Sequence, residues 1–148
     1  MMKGNFFFVA VCLMLVLSCK KEEPVVLNPV PYIEIISVSP LTLVQFSKNV
    51  RVTFSYDDQD GDLGFFHPDS LSLAATDSRL TVPDYYHISP LTPHGDSLHI
   101  RGTIALDLRS PFLLGTGTSE IIHYTIKVKD RAGNWSNEIQ TPNITITQ

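Results

Sequence analysis

The chain has 148 residues, of which 43% are hydrophobic and 18% are charged, and its formal net charge at pH 7 is −4. This length favours a single domain, and the low proportion of charged residues excludes a solvated, disordered chain. The acidic balance argues against a nucleic-acid partner, because phosphate backbones are bound by surplus Lys and Arg. Two cysteines are too few for a disulfide-rich scaffold.

The N-terminus has the features of a signal peptide. Lys3 precedes twelve apolar residues, Phe6 to Leu17, and this run is too short for a transmembrane helix of about 20 residues. The end of the run, Leu15-Val16-Leu17-Ser18-Cys19, resembles the lipobox of bacterial lipoproteins. The resemblance implies that residues 1–18 are removed and that Cys19 is acylated, so that the lipid anchors the mature chain to a membrane without spanning it. An ordinary secretory peptide with an incidental Cys19 is the alternative.

Residues 19–30 are predicted to be an extended tether, because they combine the charged run Lys20-Lys21-Glu22-Glu23 with Pro24 and Pro29. The charged run also resembles the lysine-plus-acidic export signal of surface lipoproteins in Bacteroidota. That resemblance implies a cell-envelope location on the outer membrane, with display at the cell surface. A solvated linker without an export role is the alternative.

From residue 31 onward, apolar and polar residues alternate with the period of β-strands. The alternating runs are 50–56, 98–106, with Leu98 predicted to point inward, 122–128 and 144–147, and a phase slip at Ile35-Ile36 predicts a β-bulge. Residues 64–96 are expected to add one or two short edge strands. We therefore predict an all-β fold over residues 31–148, an immunoglobulin-like antiparallel β-sandwich of about seven strands.

The segment from Tyr124 to Asn137, YTIKVKDRAGNWSN, resembles the penultimate strand and following turn of bacterial immunoglobulin-like and fibronectin-III-like domains. The resemblance implies that the strand ends at Asp130 and that a last strand covers about residues 138–147. The turn between them contains Gly133 and Asn134, two residue types that tolerate a positive φ.

An acidic cluster follows the strand at 50–56, where four of the ten Asp lie within residues 57–62. Carboxylates this close repel one another unless a cation or hydrogen-bond donors compensate, and Ca²⁺ takes six to eight oxygen ligands. Asp58, Asp60 and Asp62 are candidate calcium ligands, completed by Asp130 and Asn134 if that turn lies at the same end of the sandwich. The pattern argues against an EF-hand, because Leu63 occupies the required Gly position. The alternative is a loop of Asx turns without metal.

Exposed aromatic residues give a second candidate site. Trp135 and Tyr86 are the candidate ligand-binding residues of a platform on which sugars would stack. Neighbouring aromatics in a strand, such as Tyr85 and Tyr86, point to opposite faces, so only one of the two can serve.

Taken together, the residues predict a membrane-anchored, non-enzymatic lipoprotein that acts as a surface binding or structural accessory module, with an unidentified protein or glycan partner. Calcium is the one cofactor that the sequence suggests. The first alternative is a glycan-binding accessory protein of a nutrient-uptake system. The second is a small hydrolase, for which the sequence offers no Gly-x-Ser-x-Gly nucleophile motif.

Overall fold

The structure, a computed structural model, describes residues 27–93 and 98–148. The predicted signal peptide 1–18, Cys19 and the predicted tether up to residue 26 lie outside the described residues. Within the described ranges the fold is all-β, as predicted, and contains no helix long and apolar enough to cross a membrane. Its strands are β1 Tyr32–Ser39, β2 Thr42–Val44, β3 Val50–Asp58, β4 Leu73–Asp77, β5 Asp84–Tyr86, β6 Ile100–Leu108, β7 Ser119–Ile122, β8 Tyr124–Val128, β9 Ile139–Gln140 and β10 Ile144–Thr147.

The strands form three sheets. In the first sheet β3 lies between β1 and β6, in the second β10 lies between β2 and β7, and in the third the order is β5-β4-β8-β9. All pairings are antiparallel except that of β2 with β10. Because β7 and β8 are separated only by His123, the second and third sheets follow one another along the chain.

One hydrophobic core receives side chains from all three sheets. Phe54 of the first sheet, Ile146 of the second and Ile126 of the third are fully buried within it. The burial of such side chains is the main favourable contribution to folding, at about 25 cal/mol per Å² of apolar surface. Since the inner faces of the three sheets share this core, the architecture fits a β-sandwich.

The predicted alternation is confirmed in β3, β8 and β10, where every second residue is buried at the core. The predicted bulge is confirmed as well, because the register between β1 and β3 shifts between Ile35 and Ser37. Gly133 adopts a positive φ of 97°, as the turn after β8 requires.

Three expectations about the strands are wrong. Only edge strands were predicted in residues 64–96, but β4 lies inside the third sheet between β5 and β8. Leu98 was expected to point inward, but it is exposed because β6 begins only at Ile100. The single last strand is divided into β9 and β10, with Pro142, which has no N–H to donate, between them. These short pieces bring the described ranges to ten strands rather than about seven.

The two ends of the sandwich differ in chemistry. We call acidic end the one where β3 ends at Asp58, and far end the one where β3 begins and β6 ends. The residues that precede β1 lie at the acidic end. There the N–H of Asn28 donates to Gln59 Oε1 (2.6 Å), and Asn134 Nδ2 donates to the carbonyl oxygen of Pro29 (3.2 Å).

A half-buried network of ion pairs links the end of β4 to β7 at the far end. The guanidinium of Arg79 binds both carboxylate oxygens of Asp77, with the Nη2 to Oδ2 distance at 2.7 Å. The same guanidinium pairs with Glu120 and donates to the carbonyl oxygen of Phe112 (2.8 Å). Charge-assisted bonds of this kind are stronger than neutral ones, so the network joins three segments distant in sequence.

Candidate functional site

The acidic loop begins where β3 ends, and two glycines determine its path. Gly61 has a φ of +71°, and a Cβ at this position would lie 2.0 Å from the carbonyl oxygen of Leu98. Gly64 has a φ of +89°, and a Cβ there would lie 2.3 Å from the carbonyl oxygen of Ser89. Only glycine fits such close backbone approaches, so the loop is folded tightly against the segments around Ser89 and Leu98.

This folding brings three carboxylates together. One ligand atom each from Asp58, Asp60 and Asp62 lies within 4.8 Å of the other two. Asp58 is completely buried, and its Oδ2 accepts a hydrogen bond from the N–H of Leu63 (2.8 Å). Asp62 Oδ2 accepts a hydrogen bond from the N–H of Ala132 (2.8 Å). The Oδ1 atoms of Asp58 and Asp62 are buried without a hydrogen-bond partner among the residues described.

The environment of these carboxylates disfavours their charged forms. Burial, the hydrogen bond with Asp60 and the neighbouring negative charges raise the pKa of Asp58 to about 6, although the N–H of Leu63 opposes the shift. Burial and the charges of Asp130 and Asp60 raise the pKa of Asp62. At neutral pH a carboxyl with a pKa of about 6 is mostly ionised, so a cation bound at the acidic loop would offset its negative charge.

The neighbouring cationic side chain, Arg131, compensates this charge only in part. Its guanidinium donates to the carbonyl oxygens of Gly64 (2.9 Å) and Gly61 (3.3 Å), which are backbone atoms rather than the acidic carboxylates. Its charge lowers the pKa of Asp62, but this is the smallest of the effects on that group. The guanidinium thus supports the backbone of the loop and leaves the carboxylate oxygens facing one another.

Asp130 and Asn134 lie at the same end as the acidic loop, as the sequence suggested. A β-bridge joins Leu63 to Asp130, which places the turn directly beside the loop. Both carboxylate oxygens of Asp130, however, accept hydrogen bonds from Asn134: Oδ1 from its N–H (2.7 Å) and Oδ2 from its side-chain amide (2.9 Å). Of the five candidate ligands, the structure therefore groups three, while Asp130 and Asn134 fix the neighbouring turn.

The three grouped carboxylates fit a hard divalent cation. Ca²⁺ is bound by oxygen atoms at 2.3–2.6 Å and combines carboxylates with backbone carbonyls and water. Buried carboxylate oxygens that accept no hydrogen bond are the donors that such an ion uses. The strand that leads into the loop agrees with the sequence in excluding an EF-hand, whose loop is flanked by helices.

Trp135 and Tyr86 lie on different faces of the third sheet. The Trp135 ring is partly exposed. The ammonium groups of Lys127 (Nζ 5.2 Å from the ring centroid) and Lys129 (5.8 Å) lie over the face of this ring, where a sugar would have to stack. Tyr86 pairs with the buried Leu73 and packs against the core, whereas Tyr85 is the exposed member of the pair. The structure therefore does not bring Trp135 and Tyr86 together as one platform.

A shallow cavity of about 280 Å³ lies on the outer face of the first sheet, near the acidic end. Its walls come from all three strands of that sheet: Tyr32 and Glu34 of β1, Ser55, Tyr56 and Asp57 of β3, and Arg101 and Gly102 of β6. This site was not predicted from the sequence. The alternation of each strand indicates which residues point outward, but only the register between strands shows which of them are neighbours.

The far end displays a stacked aromatic pair that was not predicted either. The rings of Phe46 and Phe112 are 5.2 Å apart and nearly parallel (9°). They are 68% and 42% exposed. Phe46 has a φ of +59°, and such a conformation is strained for a bulky residue. The loop thus holds a large apolar side chain in solvent at an energetic cost.

Comparisons with known proteins leave the function to be argued from these sites. Searches of the chain against models of protein families, against curated proteins and against solved structures find no match in any of the three. A β-sandwich hosts many unrelated functions, so the fold alone assigns none. The function must therefore be inferred from the chemistry of the acidic loop, the outer cavity and the far end.

Proposed function

We propose that this chain is a lipid-tethered, non-enzymatic module of the cell envelope, an immunoglobulin-like β-sandwich whose acidic end is ordered by Ca²⁺. The lipobox-like run that ends at Cys19 supports removal of residues 1–18 and acylation of the cysteine. The charged run at 20–23 supports an outer-membrane location with display at the surface. Residues 19–30 then connect the lipid to the domain, whose first strand starts at Tyr32.

The observation that carries the calcium assignment is the pair of buried oxygens on Asp58 and Asp62 that accept no hydrogen bond from the described residues. In a loop held only by hydrogen bonds, both oxygens of each carboxylate would accept one, as those of Asp130 do from the N–H and the side-chain amide of Asn134. In Asp58 and Asp62 only Oδ2 accepts a backbone N–H. The acidic loop instead directs carboxylate oxygens toward one another, and a divalent cation converts that repulsion into coordination.

The position of the acidic loop indicates what a bound cation would do for the module. Asn28 bonds to Gln59 in the acidic loop, and Pro29 accepts a bond from Asn134 in the adjoining turn. The cation would therefore order the region in which the tether enters the sandwich. An ordered entry fixes how the domain is directed away from the membrane, and loops held by a rigid scaffold are typical binding surfaces.

The far end is the surface that this orientation presents to a partner. The exposed Phe46–Phe112 pair lies at the opposite end of the sandwich from residues 27–31, through which the tether would enter the domain. Aromatic side chains are enriched at the centres of protein interfaces. A protein partner that buries these two rings is therefore the best-supported contact of the module.

The two other functions receive less support. A glycan platform built on Trp135 and Tyr86 is disfavoured by their positions on different faces of the third sheet. A hydrolase would need an activated nucleophile, and among the described residues His99 pairs with Asp57 (2.7 Å) without a serine hydroxyl bonded to the imidazole.

Thermal unfolding of the full chain with and without Ca²⁺ tests the proposal. An ion that binds only the folded state stabilises it by mass action, so we expect millimolar Ca²⁺ to raise the melting temperature by roughly 5–10 °C. Asp62→Asn should remove most of that rise. Asp107→Asn is the matched control, because Asp107 is exposed and paired with Arg51, far from the loop. An unchanged melting temperature at millimolar Ca²⁺ refutes the metal.

The anchor is tested separately. Labelled palmitate should be incorporated into the chain in cells, and Cys19→Ser should abolish the label and release the protein from the membrane fraction. A chain that keeps its leader and carries no lipid contradicts the lipoprotein assignment.

A further inference from the structure

The cavity on the outer face of the first sheet is built by two neighbouring rows of side chains. In one row Tyr32 pairs across strands with Asp57, and Asp57 pairs with Arg101. In the next row Glu34 lies opposite Ser55. Directly paired residues on one face have Cβ atoms about 5 Å apart, so these five side chains form a contiguous surface. The cavity is close to the lower limit of about 300 Å³ for small-molecule sites.

The polar groups of the cavity are held in place by hydrogen bonds, but some of their donor and acceptor atoms are left for a ligand. Asp57 Oδ1 lies 2.7 Å from His99 Nε2, and Asp57 Oδ2 accepts a bond from Arg101 Nε (2.6 Å). The terminal nitrogens of Arg101 and the carboxylate of Glu34 have no hydrogen-bond partner among the described residues. Hydrogen-bond donors and acceptors that a ligand could use therefore lie beside one another in the cavity.

An aromatic ring completes this surface. Tyr32 is 55% exposed and forms one wall of the cavity. Tyr56 and Gly102, which pair across β3 and β6, also line the cavity. The missing side chain of Gly102 leaves room for the Tyr56 ring, since a Cβ there would lie 2.6 Å from the Tyr56 hydroxyl. The residues that line the cavity thus sit on a rigid sheet rather than on a loop.

We propose that this cavity is a binding site for a neutral saccharide of one or two sugar units. The apolar C–H face of a pyranose stacks on an aromatic ring, for which Tyr32 is available, while its hydroxyl groups both donate and accept hydrogen bonds. Glu34 and Asp57 accept such bonds, Arg101 donates them, and Ser55 does either. Aromatic rings with a few converging polar groups are the general composition of small-molecule sites.

The charges favour a neutral ligand over an anionic one. Two carboxylates, Glu34 and Asp57, face one guanidinium, that of Arg101, which is already paired with Asp57. The nearby imidazole of His99 is likewise paired with Asp57. The one cation among the residues that line the described cavity, Arg101, has its charge balanced by Asp57, and Glu34 would repel a phosphate, sulfate or uronate group. The site uses none of the three grouped acidic residues, because Asp57 and Asp58 are adjacent in a strand and point to opposite faces.

Saturation-transfer-difference NMR and titration of the full chain test this site, with the protein in a detergent that has no sugar headgroup. The probes are cellobiose, maltose, lactose and diacetylchitobiose, and a heparin disaccharide serves as the anionic comparison. We expect at least one neutral disaccharide to bind, with affinity reduced roughly tenfold or more in Tyr32→Ala. Tyr32→Phe should retain binding. Tyr85→Ala, which removes an exposed tyrosine from the third sheet, is the matched control and should not change it.

The result overturns the proposal if no neutral disaccharide gives a transfer signal, if Tyr32→Ala binds as tightly as the unaltered chain, or if the heparin disaccharide binds more tightly than every neutral one. Arg101→Ala provides a second variant at the opposite wall of the cavity and should also weaken binding. Circular dichroism of each variant shows whether it is folded. Because the metal is assayed by melting and the saccharide by NMR, failure of one proposal is distinguishable from failure of the other.

Discussion

The carboxylate of Asp62 accepts a hydrogen bond from the main-chain N–H of Ala132 at 2.8 Å, although the two residues are 70 positions apart in sequence. This bond fixes one oxygen of Asp62 on the turn that comes after β8 and leaves the other oxygen directed toward Asp58 and Asp60. A single carboxylate thus links the turn to the acidic loop. Loss or gain of a cation at the acidic loop should therefore affect both the loop and the turn after β8.

Neutralising Asp58 should stabilise the cation-free protein. Asp58→Asn keeps an acceptor for the N–H of Leu63 but removes a buried charge beside Asp60 and Asp62. In a chelating buffer at neutral pH we expect the melting temperature to rise by about 2–5 °C. The same variant should lose the Ca²⁺-dependent gain in melting temperature. If Asp58→Asn melts lower than the unaltered chain in chelator and still responds to Ca²⁺, the carboxylate is not a ligand.

Stability should fall with rising pH without Ca²⁺, and this dependence should disappear when Ca²⁺ is bound. The pKa of Asp58 is about 6 in the folded protein, above the ordinary value of 3.8 expected on unfolding, and the pKa of Asp62 is raised as well. Without cation, their contribution is complete below the ordinary pKa and is lost as the pH rises through about 6. Melting temperatures in chelator should therefore fall between about pH 4 and pH 7. In Ca²⁺ the fall should disappear, because the ionised carboxylates bind the metal.

Other carboxylates do not mask the expected fall in melting temperature between about pH 4 and pH 7. The pKa values of Asp57, Asp107 and Glu120 are lowered by their hydrogen-bonded partners. Their contribution to stability is present above the ordinary carboxyl pKa and is lost only as the pH falls below it. A melting temperature that rises steadily from pH 4 to 7 in chelator would contradict the raised pKa of Asp58.

The path of the acidic loop should depend on Gly61. Gly61→Ala places a Cβ 2.0 Å from the carbonyl oxygen of Leu98 at a residue with a positive φ. We expect this variant to lower the free energy of unfolding by roughly 1–3 kcal/mol in urea titrations. Gly117→Ala is the control, since the nearest atom to its added Cβ, the carbonyl oxygen of Ser119, lies at 3.5 Å. Equal effects of the two substitutions would show that the loop is not packed against Leu98.

The far end should depend on Arg79. Its side chain is 17% exposed and neutralises both Asp77 and Glu120, so Arg79→Ala leaves two carboxylates without their counter-ion. We expect the melting temperature to fall by roughly 5–10 °C. Arg51→Ala removes an ion pair of similar length with Asp107, but that pair is solvent-exposed and its loss should change little. A loss in Arg51→Ala as large as that in Arg79→Ala is the outcome that rejects this assignment.

The sequence predicted the parts of the fold that have a strong two-residue period. In β3 the alternation of Val52 and Phe54 with Arg51 and Thr53 corresponds directly to buried and outward positions. The sequence did not predict the inner position of β4, because Ala74, Ala75 and Thr76 show almost no alternation of apolar and polar residues. The position of β4 is determined by its pairing with β8, a contact between segments about 50 residues apart that no local pattern reveals.

The site was predictable where its residues are close in sequence. Asp58, Asp60 and Asp62 are spaced two apart in a glycine-bent loop, so their grouping could be anticipated. The turn with Asp130 meets the condition that it lie at the same end, but the hydrogen bonds between Asp130 and Asn134 depend on the conformation of the turn. The outer cavity could not be predicted, since Tyr32 and Arg101 become neighbours of Asp57 only through the register of three strands.

The most direct test of the metal centre is isothermal titration calorimetry of the full chain, freed of cations by chelation and titrated with Ca²⁺. A filled triad predicts one saturable Ca²⁺ ion per chain, and this binding should vanish when both Asp58 and Asp62, whose Oδ1 atoms face the loop, are replaced by Asn. The absence of saturable heat up to millimolar Ca²⁺, or a stoichiometry that the double substitution leaves intact, would contradict the calcium assignment.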